Sequence, residues 1–155
     1  MATAQHTALD LTKIPNATGL RIAVVVSGWN SSITENLYQG ALEVLEAKGC
    51  VDIMHIPVSG SFELIYGCKK AIHTGVDAVI ALGSVIRGET AHFDYVCQAV
   101  SLGIKELNLL GVAPVIFGVL TDDTLEQAQS RSGGALGNKG AEAAAAAIEM
   151  ATLSI

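Results

Sequence analysis

The chain has 155 residues, half of them apolar and 15% charged, with a net charge of −6. That length is the size of one domain, enough to bury about 70% of the unfolded surface without a disulfide or metal staple. Nine Lys and Arg residues, scattered among fifteen acids, form no stripe for a nucleic-acid duplex. No apolar run reaches the roughly 18 residues of a membrane span.

Residues 1–18 are polar and mixed and include Pro15 and Asn16. They predict an extended amino-terminal arm ahead of a single domain over 19–155. The first residues lack the basic patch and apolar core of a secretory signal. Cys50, Cys68 and Cys97 are odd in number, with neither close pairing nor metal-ligand spacing. Reduced, buried thiols in a cytoplasmic protein are the expectation. So apolar and sparsely charged a chain is expected to hide surface in subunit contacts.

Arg21–Val26 is β-branched and predicts a strand. Ser27-Gly28-Trp29-Asn30 turns it into a helix capped near Ser31 or Ser32, carrying Ile33, Leu37, Ala41, Val44 and Leu45 at helical spacing. Val51–Val58 predicts a second strand, interrupted near Pro57. Ser61 is a candidate cap for a helix with Leu64, Ile65, Cys68 and Ile72. Ala78–Ile86 is a continuous apolar run, as suits a strand covered on both faces. Phe93, Val96, Val100, Ile104 and Leu107 mark a long helix. Val115–Leu120 predicts a fourth strand, Thr124–Arg131 a short helix, residues 132–138 a glycine-rich loop, and Glu142–Leu153 a final alanine-rich helix.

Four alternations of strand and helix imply βαβ units and right-handed crossovers. The expected architecture is a three-layer α/β/α sandwich of flavodoxin-like type around a four-stranded parallel sheet. An edge of so small a sheet could recruit a neighbour's amino-terminal arm.

In such a sheet every strand–helix turn falls on one edge, where open α/β sheets place ligands. Segments 27–30, 59–63, 84–92 and 117–121 therefore converge. Trp29 either fills the core or offers a face for stacking a heteroaromatic ring. Glu63 either favours its helix dipole or accepts from ligand hydroxyls. Gly88-Glu89-Thr90 is either an ordinary capped turn or an anion site built on backbone amides and the Thr90 hydroxyl. His92, one turn into its helix, is either structural or a proton shuttle. Arg131 and Lys139 flank the glycine-rich loop as surface residues, or as cations for a phosphate if that loop meets a neighbour's cleft. There is no Walker-type lysine, no dinucleotide fingerprint after the first strand and no nucleophile elbow. His6, His55 and His73 are too dispersed to join His92 as a zinc set.

Val85-Ile86-Arg87-Gly88-Glu89-Thr90-Ala91-His92-Phe93-Asp94-Tyr95, with Gly137-Asn138-Lys139-Gly140, Gly60-Ser61-Phe62-Glu63 and Phe117-Gly118-Val119-Leu120-Thr121, resembles the lumazine synthases from about Arg21 to Met150. The resemblance implies condensation of 5-amino-6-(D-ribitylamino)uracil with 3,4-dihydroxy-2-butanone 4-phosphate to 6,7-dimethyl-8-ribityllumazine, with loss of phosphate and water and with no metal or cofactor. It implies ring stacking on Trp29, ribityl contacts at Ser61, Phe62 and Glu63, and main-chain contacts to the pyrimidine edge from Ser84, Val85 and Ile86. Phosphate would sit on the Glu89 backbone, Thr90 and Arg131, with His92 moving protons. Phe117 and Arg131 would reach an adjacent subunit's cleft, with Lys139 close by. Homopentamers are implied, and the absence of an insertion between Arg131 and Lys139 points to an icosahedral capsid of sixty chains. Ser59, where proline is usual, and Glu89, where a small residue is usual, depart from the pattern. Two alternative readings stand beside the implied condensation: a non-catalytic flavin- or lumazine-binding shell, against which His92, Thr90 and Arg131 speak, and an archaeal-type riboflavin synthase.

Overall fold

In the computed structural model, which describes residues 9–154, the four apolar runs become strands β1 (Arg21–Ser27), β2 (Asp52–Val58), β3 (Ala78–Ile86) and β4 (Val115–Asp122). They form one parallel sheet in the order β2-β1-β3-β4. Helices α1 (Ser31–Ala47), α2 (Leu64–Ile72), α3 (His92–Leu109), α4 (Leu125–Arg131) and α5 (Lys139–Ala151) complete the chain.

Side chains alternate across each strand, and both faces are covered. On β1 and β3, Ile22, Val24, Ile80 and Leu82 pack with Ile33, Leu37 and Leu45 of α1 and Ala144 and Ile148 of α5. Ala23, Val25, Val79 and Ala81 pack with Leu64 and Cys68 of α2 and Val100 and Ile104 of α3 on the other side. This is why β3 is apolar without a period. Each fully buried aliphatic side chain here contributes about 1.5–3 kcal/mol. β2 lies at the sheet edge and is only partly covered, so it runs unbroken through Pro57, which pairs with Val26. Proline is tolerated on an edge because no further strand needs its missing N–H.

Three further expectations are corrected. Of the predicted arm, residues 1–8 lie outside the described residues. From Leu11 onward the segment is not an extended arm: a 3-10 turn spans Leu11–Lys13, Ile14 and Ala17 are buried, and Ala17 N–H donates to the Lys48 carbonyl at 2.8 Å. Apolar Ile14 and Ala17 override the polar average of the segment. Second, the caps differ. Helix α1 starts from Asn30 in a left-handed conformation (φ 56°), not from a serine, and α2 starts at Glu63 with no side-chain cap, the Ser61 hydroxyl having no partner. Third, the glycine-rich loop contains a small antiparallel hairpin, β5 (Ser132–Gly134) with β6 (Gly137–Asn138), and α5 begins at Lys139 rather than 142. Asn138 caps α5 by accepting from Gly140 and Ala141 N–H, and its amide donates to the Asn36 carbonyl of α1 at 2.8 Å. That bridge joins the two helices beside the tight approach of Gly140 to Leu37. A methyl group on Gly140 would be driven into the Leu37 backbone carbonyl.

Cys68, fully buried between α2 and the sheet, has its thiol pushed up to about 12 by burial, from an ordinary value of 9.0. Because the folded value is the higher one, the neutral thiol favours the fold fully below pH 9, and that contribution is lost as pH rises toward 12. Native protein should therefore leave Cys68 unlabelled by iodoacetamide at pH 8 while urea exposes it. Cys68→Ala should flatten the alkaline fall of the urea midpoint. Equal labelling rates in the folded and unfolded states would contradict this.

Candidate active-site cleft

Parallel pairing brings the carboxyl ends of the strands to one edge: Ser27 lies level with Val58, and Ser84 with Leu120. The turns leaving β1, β2 and β3 there enclose a cleft of about 490 Å³ lined by Trp29, Asn30, Gly60, Ser61, Phe62, Glu63, Ser84, Val85, Ile86, His92 and Val96. Eight residues singled out from the sequence (Trp29, Ser61, Phe62, Glu63, Ser84, Val85, Ile86 and His92) thus share one chamber.

Trp29 is not sealed in the interior. It is 72% exposed, directly after β1, and Phe62 opposite is 54% exposed. Neither aromatic side chain fills the core, and both line the cleft while open to solvent. The Trp29 turn is held by Asn30, whose left-handed backbone lets its amide donate to the Ser84 carbonyl at 2.9 Å. Gly60 sits between Glu63 and Trp29: a Cβ there would lie 2.8 Å from the Glu63 carboxylate and 3.2 Å from the indole. Deeper in, Gly83 makes room for Ser61, whose Oγ would be 2.8 Å from an added Cβ. Ser61 and Ser84 are buried, and their hydroxyls have no hydrogen-bond partner. Orphaned buried hydroxyls are costly, so two of them lining a cleft mark a place where a polar ligand would be held.

His92 opens α3, exposed at the cleft rim, and its N–H donates to the Thr90 hydroxyl at 3.4 Å. The turn before it is held by Arg87, which donates to Asp123 at 2.8 Å and Asp94 at 3.1 Å and lies 4.1 Å over the Phe93 ring. This clamp ties the start of α3 to the end of β4.

Five residues singled out from the sequence do not line the cleft. Glu89 and Thr90 are exposed on the turn between β3 and α3. Phe117 is 43% exposed on β4. Arg131 donates to Asp122 at 2.9 Å, and Lys139 pairs with Glu142 at 2.7 Å. Asn30, Gly60 and Val96 line the cleft without having been singled out. Asn30 adjoins Trp29, Gly60 belongs to the Ser61–Glu63 motif, and Val96 is one helical turn beyond His92. Among the described residues no group of histidine, cysteine and carboxylate side chains could hold a metal ion, and no helix is long and apolar enough to cross a membrane.

A parallel α/β sandwich with an open cleft at its strand ends, furnished with an aromatic plate, a carboxylate and an imidazole, defines a flavodoxin-like small-molecule enzyme. The family model of 6,7-dimethyl-8-ribityllumazine synthase matches residues 19–154. Proteins so named are similar along nearly their whole length: 53% identity for that of Christiangramia forsetii, covering 93% of this chain and 88% of the relative. For Phocaeicola vulgatus the values are 49%, 97% and 92%, and for Porphyromonas gingivalis 48%, 99% and 98%. The chain belongs to the 6,7-dimethyl-8-ribityllumazine synthase family.

Proposed function

We propose that this chain condenses 5-amino-6-(D-ribitylamino)uracil with 3,4-dihydroxy-2-butanone 4-phosphate to give 6,7-dimethyl-8-ribityllumazine, a step of riboflavin biosynthesis. The observation that carries this reading is the presence of Trp29, Glu63 and His92 in one cleft, in a chain of this family. Trp29 stacks on the pyrimidine ring. Glu63 and the Ser61 hydroxyl accept and donate to the ribityl chain beside Phe62. The backbone of Ser84, Val85 and Ile86, at the end of β3, meets the polar edge of the pyrimidine.

The amine attacks the ketone to form an imine with loss of water. Phosphate then leaves, and ring closure with loss of a second water completes the product. Each step needs alignment and a proton carrier rather than a covalent nucleophile. His92 at the rim is the carrier. Thr90, the Glu89 backbone and Arg131 hold the phosphate, with Lys139 near them. Holding two reactants together supplies on the order of 7–11 kcal/mol, against about 3–5 kcal/mol for one placed acid–base group. Positioning dominates.

Phe117, Arg131 and Lys139 act on the cleft of a neighbouring protomer in a homopentamer, and pentamers pack into an icosahedral shell in the cytoplasm. The support is surface chemistry: Tyr66, Tyr95, Leu109, Leu110 and Val112 are each more than 60% exposed in a chain that is 15% charged. Light scattering is expected to give a particle near sixty chains, and a particle of five would overturn the shell. Mixing both substrates with the purified protein is expected to produce lumazine absorbance. Riboflavin formed from lumazine alone, or no product at all, would overturn the proposed activity.

A further inference from the structure

Asp122 is the one buried carboxylate among the described residues, and it is 5% exposed at the end of β4. Its Oδ1 accepts from Arg131 Nη1 at 2.9 Å, whereas Oδ2 has no partner. Arg131 ends α4, and its Nε is buried and also unpartnered. The adjacent Asp123 is committed to a different arginine, Arg87. Two neighbouring acids at one strand end thus serve two arginines, one pair exposed and one largely withdrawn from water.

Taking a carboxylate out of water for a single hydrogen bond is a poor way to stabilise a fold, because desolvation offsets the attraction. What the contact does supply is direction. A guanidinium is a planar fork whose use depends on its orientation. With Nε covered and one Nη1 hydrogen given to Asp122, Nη2 and the second Nη1 hydrogen are the part of Arg131 left to meet an anion.

We infer that Asp122 is a positioning residue, fixing the Arg131 guanidinium to receive the phosphate of the second substrate. This rests on Arg131 being a phosphate contact, as proposed above. The carboxylate acts through Arg131 and touches neither reactant.

The test uses the assembled enzyme and inorganic phosphate as competitor. Asp122→Ala is expected to raise the Ki for phosphate and the KM for the phosphorylated ketone together by about tenfold, the effect of losing one charge-assisted hydrogen bond. The KM for the aminouracil should stay within about twofold of wild type. Asp122→Asn, which keeps an acceptor at Oδ1, should fall between the two, and it decides the matter alone if Asp122→Ala does not fold. In an Arg131→Ala background, adding Asp122→Asn should change the phosphate Ki no further. Equal rises in both KM values, an unchanged phosphate Ki, or a further loss in the Arg131→Ala background would overturn the role of Asp122 while leaving Arg131 as a phosphate contact. If Arg131→Ala by itself leaves phosphate inhibition unchanged, the proposed phosphate site falls too, which separates the two failures.

Discussion

Replacing His92 with alanine is expected to lower kcat by about a hundredfold to ten-thousandfold and still leave measurable turnover. His92 stands exposed at the head of α3, and its removal opens no cavity in the sheet. Trp29, Phe62 and Glu63 would still line the cleft proposed above to hold both reactants. The loss should therefore sit in kcat, with both KM values close to wild type. Because alignment is worth more than one proton carrier, water can replace the imidazole at a reduced rate. Complete loss of turnover, with equilibrium dialysis showing both substrates bound, would mean that His92 does something chemically indispensable.

The largest stability effect is expected at Gly140. Its Cα faces the Leu37 carbonyl so closely that even a methyl group has no room, and the obstacle is backbone rather than a flexible side chain. Gly140→Ala should cost about 2–3 kcal/mol through overpacking, lowering Tm by roughly 5–10 °C for a chain of this size. Alanine is the better helix former, so intrinsic propensity alone would predict the opposite sign. Gly88→Ala is the control: nothing lies within 4 Å of an added Cβ there, and its effect should stay within about 0.5 kcal/mol. Equal Tm values for the two variants would show that α5 can slide along α1 to make room.

The central strands β1 and β3 were legible in the sequence because burial on both faces leaves an unmistakable trace. Ala78–Ile86 has no charged position to break it and a single polar one, Ser84, and each of its first seven residues is buried. The helices were legible from spacing, as with Ile33, Leu37, Ala41 and Leu45 of α1. Local polar geometry was not. Ser61 has the chemistry of a cap but sits in the turn before α2, with its hydroxyl over Gly83. Asn30 takes a left-handed conformation that no neighbouring residue announces. The β5–β6 hairpin, only three residues against two, carries too little pattern to be read.

The cleft followed from the topology, because strand ends in a parallel sheet share an edge. Trp29, Ser61–Glu63, Ser84–Ile86 and His92 come from the turns after β1, β2 and β3. Arg131 and Lys139 come from segments beyond β4, where each meets a local carboxylate, Asp122 or Glu142. A single chain's spacing carries no information about whether such residues meet another molecule.

The position of α5 has a consequence for the order in which the chain can mature. Ala144 and Ile148 of this last helix close over Leu37, Ile80 and Leu82, whereas α2 and α3, which cover the opposite face, precede it in the chain. During synthesis the cleft is therefore already encoded through Val96 while the sheet face that α5 shares with α1 is only half covered. Such an intermediate offers apolar surface to neighbouring nascent chains. The alanine-rich helix α5 is what removes that surface from solvent.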